Sequence, residues 1–83
     1  MRLVTLPNGD AVRPDAVKSV QYLEASPVEM IGSIKTGGHP HRVVVHLDNG
    51  GAILCYRGDA EQARMTRDGI IDEINESLRE ARQ

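Results

Sequence analysis

The chain has 83 residues, 40% of them hydrophobic, and ten Lys and Arg against twelve Asp and Glu give a formal net charge of −2. That is the size of one domain, spanning 1–83, and it lacks the positive excess with which duplex-DNA and RNA binders replace phosphate counterions. With only two aromatics, Tyr22 and Tyr56, and neither Trp nor Phe, the core has to be built from aliphatic side chains in a domain small enough to be marginal.

Residues 2–6, Arg-Leu-Val-Thr-Leu, are β-prone and run into Pro7-Asn8-Gly9-Asp10. Asn-Gly is the strongest short hairpin signal, because both central positions of the turn take positive φ. It predicts a return through Ala11-Val12-Arg13, which Pro14-Asp15 ends because proline cannot donate to a ladder. A third strand is predicted over 17–25, with Val20 and Tyr22 on one face and Ser19, Gln21 and Leu23 on the other. From Ser26 to Pro40 the pattern is open. Val28-Glu29-Met30-Ile31 suits a strand, whereas Gly32, Gly37, Gly38 and Pro40 suit a loop, so 26–40 reads as a strand excursion or a mobile loop.

The second hairpin is plainer. Arg42-Val43-Val44-Val45-His46-Leu47 runs into Asp48-Asn49-Gly50-Gly51 and returns through Ala52-Ile53-Leu54-Cys55-Tyr56-Arg57. With Asn49-Gly50 as a two-residue turn, Val43, Val45 and Leu47 lie opposite Tyr56, Leu54 and Ala52 on one face. Arg42, Val44, His46, Ile53, Cys55 and Arg57 then share the other face. Asp59 is an N-cap with Gln62 at the third helical position. Ala63, Ile70, Ile74, Leu78 and Ala81 mark one helical stripe, which predicts a C-terminal helix over 59–82. Gly69 leaves a kink or a break open within it. The expected fold is α+β: an antiparallel sheet of four to five strands, including two Asn-Gly hairpins, with one C-terminal helix on the face bearing Val43, Val45, Leu47, Leu54 and Tyr56.

Thr5-Leu6-Pro7-Asn8-Gly9, Arg13-Pro14-Asp15-Ala16-Val17-Lys18-Ser19-Val20, Val45-His46-Leu47-Asp48-Asn49-Gly50 and the closing helix together resemble the small bacterial FlbD-type swarming-motility proteins. The chain departs from that pattern in the Ser26 to Pro40 insertion and in Arg13, where the pattern has an asparagine. The resemblance implies the fold and brings no catalytic residues with it. The small size would suit a prophage-encoded protein equally well.

His39, His41 and His46 lie close in sequence, with Cys55 on the next strand. His41 and His46 have opposite parity, and no C-x-x-C or H-x-x-x-H spacing occurs, so neither a metal site nor another cofactor is expected. A nucleophilic Cys55 would need a lowered pKa, an adjacent base and an oxyanion pocket; a lone strand cysteine reads as a small apolar residue. Thr36-Gly37-Gly38-His39-Pro40 lacks the Lys-Ser/Thr ending of a P-loop. Asp72, Glu73, Glu76 and Glu80, interleaved with Arg79 and Arg82, read as a solvated helix face. Catalysis is not expected. With one cysteine, no signal-peptide pattern and no apolar run approaching ~20 residues, a cytoplasmic protein without a membrane span is expected.

A single helix covers one face of a sheet and leaves the other near water. The expectation is therefore a non-catalytic protein-interaction or regulatory module, binding a protein partner or a second copy as a homodimer through Arg42, Val44, His46, Ile53, Cys55 and Arg57. Arg42 and Arg57 are directly opposed in this register. Like charges across a strand pair are destabilising, so they call for an acidic partner or for carboxylates from Asp48, Asp59 or the helix. The alternative is weak nucleic-acid or anion binding through Arg42, Arg57, Arg13 and Lys18. Against it stand the near-neutral balance of residues 1–58, six basic and five acidic, and the lack of an aromatic stacking platform.

Overall fold

Both Asn-Gly sequences close three-residue loops in the computed structural model, which describes residues 2–26, 28–38 and 40–82. Leu6 N–H donates to Asp10 O at 2.7 Å and Gly9 N–H to Leu6 O at 2.9 Å; Leu47 N–H donates to Gly51 O at 2.8 Å and Gly50 N–H to Leu47 O at 3.1 Å. Gly9 and Gly50 take φ of 95° and 91°, and no other residue type has positive φ among the described residues. Pro7-Asn8-Gly9 and Asp48-Asn49-Gly50 are thus type I turns completed by a left-handed glycine, instead of two-residue turns with both φ positive.

The first hairpin joins β1 (Val4–Thr5) to β2 (Ala11–Val12), pairs Val4 with Val12, and buries Val4, Leu6 and Val12. A single 3-10 turn over Pro14–Ala16 then redirects the chain into β3 (Val17–Leu23). Next comes a separate hairpin of β4 (Val28–Ile31) and β5 (Ile34–Gly37), closed by Gly32-Ser33 with Gly32 at φ 64°. A glycine with positive φ at the first of two loop positions is the signature of a type II′ turn. β6 (His41–Leu47) and β7 (Ala52–Gly58) complete a three-stranded antiparallel sheet in the order β3-β6-β7.

The strands are therefore not joined into one sheet of four or five. Pro14 has no N–H and a fixed φ, and its turn detaches the first ladder from β3. Leu23 is paired with Arg42, so the 26–40 insertion leaves and re-enters the sheet at one place. Its strands pair with each other alone.

Asp59 Oδ1 accepts the Gln62 N–H at 2.8 Å and starts α1 (Ala60–Ala81), which runs unbroken through Gly69. The helix lies on β3, β6 and β7 and reaches β1 and the 3-10 turn. It buries Ala63, Ile70 and Ile74 against Val4, Leu6, Val12, Val43 and Val45. Leu78 joins this stripe in part, while Ala81 is exposed. Ser77 is fully buried in the same seam, where its Oγ donates to Arg2 O at 2.6 Å and ties the N-terminal segment to the helix.

The turn geometry corrects the register of the second hairpin. A three-residue loop slips β7 by one position, pairing His46 with Ala52, Val45 with Ile53 and Val44 with Leu54. Cys55 is then an extra residue on β7, and beyond this bulge Val43 pairs with Tyr56 and Arg42 with Arg57. Because side chains alternate with period two, the slip exchanges faces for the residues between turn and bulge. Leu54, expected in the core, is 45% exposed; Cys55, expected on the open face, is 5% exposed, and Ile53 packs against the core.

Candidate functional site

The face of the β3-β6-β7 sheet turned away from α1 carries three cross-strand rows. Register places Leu23, Arg42 and Arg57 in one row, Gln21, Val44 and Leu54 in the next, and Ser19, His46 and Ala52 in the third. Gln21, Ala52, Leu54 and Arg57 are exposed, and Ser19, Leu23, Arg42, Val44 and His46 are half-buried. Of the six residues that the alternation assigns to this face, the structure brings Arg42, Val44, His46 and Arg57 together there. Ile53 and Cys55 sit on the helix side. Leu54 takes their place, with Leu23 and Gln21 contributed by β3.

Electrostatically the face is unusual at one end. Arg42 and Arg57 are paired across the strands, and among the described residues no carboxylate lies within ion-pair distance of either; the ion pairs present are Arg2 with Glu73 and Glu80, Arg13 with Asp15, and Arg67 with Asp68. Arg42 donates a long hydrogen bond, 3.4 Å, to Pro40 O. Neither Asp48, Asp59 nor the helix carboxylates reach the pair. At the other end His46 Nε2 donates to Gln21 Oε1 at 2.9 Å, linking β6 to β3 above a shallow hollow lined by Lys18, Ser19, Gly50 and Gly51.

The remaining candidates have structural partners. His41 faces the helix side, where its Nδ1 accepts from Tyr22 Oη–H at 2.7 Å and from Ala25 N–H at 3.1 Å, with its ring stacked on Tyr22 at 5.9 Å. A backbone N–H can only donate, so Nδ1 carries no proton here. His39 lies outside the described residues. Among the described residues, no group of three or more His, Cys, Asp and Glu side chains is placed to hold a metal ion. Burial pushes the Cys55 thiol above its ordinary value, opposed by a smaller effect of a backbone hydrogen bond from Val45. A thiol held protonated in a core is a poor nucleophile. Glu73 and Glu80 hold Arg2 and raise its pKa further. A second groove, between β1 and α1, is lined by Val4, Leu6, Pro7, Thr66, Gly69 and Ile70, with Glu73 as its single ionisable side chain. One carboxylate engaged by Arg2 is no acid–base pair.

Leu54 and Ala52 are the open-face residues that alternation from the turn assigns to the helix side. A signal exists in the first hairpin at Pro7: a two-residue Asn8-Gly9 turn needs the N–H of the residue before it, which proline lacks, whereas proline fits the second position of a type I turn. The same three-residue geometry recurs at Asp48-Asn49-Gly50.

No family model matches the chain, and neither does any curated protein or solved structure compared with it. No helix among the described residues is long and apolar enough to cross a membrane.

Proposed function

We propose that this protein is a non-catalytic interaction module that docks a protein partner on the open face of its three-stranded sheet. The observation that carries this reading is the opposed pair Arg42 and Arg57, without a carboxylate among the described residues, beside Leu54 at 45% exposure and half-buried Val44. Opposed like charges cost stability in an isolated sheet. A partner that brings carboxylates and apolar side chains turns that cost into binding energy, because a charge pair desolvated next to apolar contact is stronger than one in water.

Anion or nucleic-acid binding by the same two arginines is the second reading, and the lack of acidic neighbours favours it too. It is the weaker one, since Tyr22 and Tyr56 both pack on the core side and, among the described residues, the open face offers no ring but the imidazole of His46, which Gln21 holds.

A photo-crosslinking residue placed at Leu54 and, as a control, at exposed Asp15 tests the reading in living cells. A protein adduct from position 54 and none from position 15 is expected. Equal labelling at both positions, or none at 54, would overturn it.

A further inference from the structure

We infer that the partner is a second copy of this chain, whose helix α1 lies with its outer side across the open sheet face of the first, so that molecules associate head to tail. This rests on the docking role of the open face proposed above and names its occupant.

The argument is complementarity between two surfaces on opposite sides of one molecule. On α1, Glu61, Met65, Asp68 and Asp72 follow one another at spacings of four, three and four, on the side away from Ala63, Ile70 and Ile74. All four are exposed, Met65 by 60%. Glu61 and Asp72 make no ion pair among the described residues, and Asp68 is held only by adjacent Arg67 at 2.9 Å. On the sheet, the end row reads Leu23, Arg42, Arg57 from β3 to β7. Opposed residues on neighbouring strands are about 5 Å apart, and helix positions three or four apart are separated by about 5 to 6 Å. A helix crossing the strands can therefore set Met65 over Leu23, Asp68 over Arg42 and Asp72 over Arg57, an apolar contact followed by two charge pairs.

Two further points select this arrangement. The chain cannot make it internally, because its own helix is packed on the other face of the sheet. Two open faces meeting about a two-fold axis at the middle row would instead set Arg42 and Arg57 opposite the Ser19, His46 and Ala52 row of the second copy, which brings them no carboxylate. Because the two surfaces lie on opposite sides of the molecule, a dimer leaves one of each free, so association continues into a ring or a filament.

Sedimentation velocity over a concentration series, at low salt, tests the inference. The parent should sediment faster as concentration rises. Arg42→Glu/Arg57→Glu and Asp68→Arg/Asp72→Arg should each remain monomeric, with melting temperatures near that of the parent. Mixed in equal amounts, the two variants should associate again, because charges are exchanged across the contact. A parent that stays monomeric at millimolar concentration overturns the inference, as does a helix variant that associates like the parent. If the monomeric parent binds a fluorescent single-stranded oligonucleotide and Arg42→Glu/Arg57→Glu does not, the face belongs to a polyanion and self-association is again excluded. Adducts from position 54 to a different protein, with a monomeric parent, would overturn this inference while the docking role stands.

Discussion

Cys55 is where the second hairpin recovers its register, and the side chains around it show how one backbone position redistributes a core. Between the loop and Cys55, Val45 faces Ile53 under the helix and Val44 faces Leu54 on the open side. Val45 is fully buried whereas Leu54 is 45% exposed. Val45→Ala should therefore cost about 2 to 3 kcal/mol, and Leu54→Ala less than about 1 kcal/mol. In a domain of this size each kcal/mol moves the melting temperature by roughly 4 to 8 °C. Thermal unfolding of the two variants should differ by about 10 °C; equal shifts would restore Leu54 to the core. The thiol itself provides a second test. Its pKa is raised by burial, so the stability it contributes is complete below the ordinary thiol value near 9.0 and is lost as pH rises through the higher folded value. Raising the pH from about 8 to about 10 should thus destabilise the parent more than Cys55→Ala, measured by urea unfolding at each pH. A parallel pH dependence in the two proteins would place the thiol in contact with water.

Among the elements, α1 is the one whose start, length and inner face are all set locally. Asp59 caps it, Ala63, Ile70 and Ile74 form its inner stripe, and the missing side chain at Gly69 does not interrupt it. A Cβ built on Gly69 meets nothing within 4 Å. Gly69→Ala should accordingly stabilise the protein by about 0.5 to 1 kcal/mol, since alanine loses less backbone freedom than glycine in a helix. A melting temperature that rises by a few degrees checks this; a fall would mean that the groove between β1 and α1 closes on that position. The strands depend more on their surroundings. β1 and β2 are two residues each and hold their place because Val4, Leu6 and Val12 pack beneath the helix. A two-stranded ladder alone is marginal in water.

At the scale of the whole molecule, the protein is longer than a compact chain of its size. Its radius of gyration is 15.2 Å and its longest dimension 58 Å, against about 12 Å for a compact domain of this length and about 33 Å for α1 itself. Among the described residues the β4-β5 hairpin makes no ladder with another strand, and it exposes Met30 and Ile34 by 61% and 64%. Leu23 and Arg42 are already neighbours across the β3-β6 ladder, so a short loop that includes an inserted Asn-Gly can span the same gap. Replacing residues 26–38 with Asn-Gly should leave the body folded, with a melting temperature within a few degrees of the parent and slow amide exchange retained in β6. Loss of cooperative unfolding would show that the hairpin supports the sheet.

What the sequence determined by itself was everything carried by short-range chemistry. Proline, the two Asn-Gly pairs and the Asp59 cap divide the chain into strands and one terminal helix, and parity places Val20 and Tyr22 against the core and His46 away from it. The open face was legible as far as Arg42, Val44, His46 and Arg57, since these lie on the central strand or beyond the bulge, where slip and bulge cancel. Ile53, Leu54 and Cys55 were not legible from alternation, because they lie between the two irregularities and each irregularity reverses the pleat. That local reversal begins at the three-residue loop and ends at the Cys55 bulge, and the helix side of the sheet accommodates it. Packed on one side of β6 and β7, the helix has room there for Ile53, small Cys55 and Tyr56 beside Val43 and Val45, and it leaves Leu54 to the other side. That no carboxylate among the described residues reaches Arg42 or Arg57 was decided by the tertiary structure, which sets the acidic helix on the opposite side of the sheet.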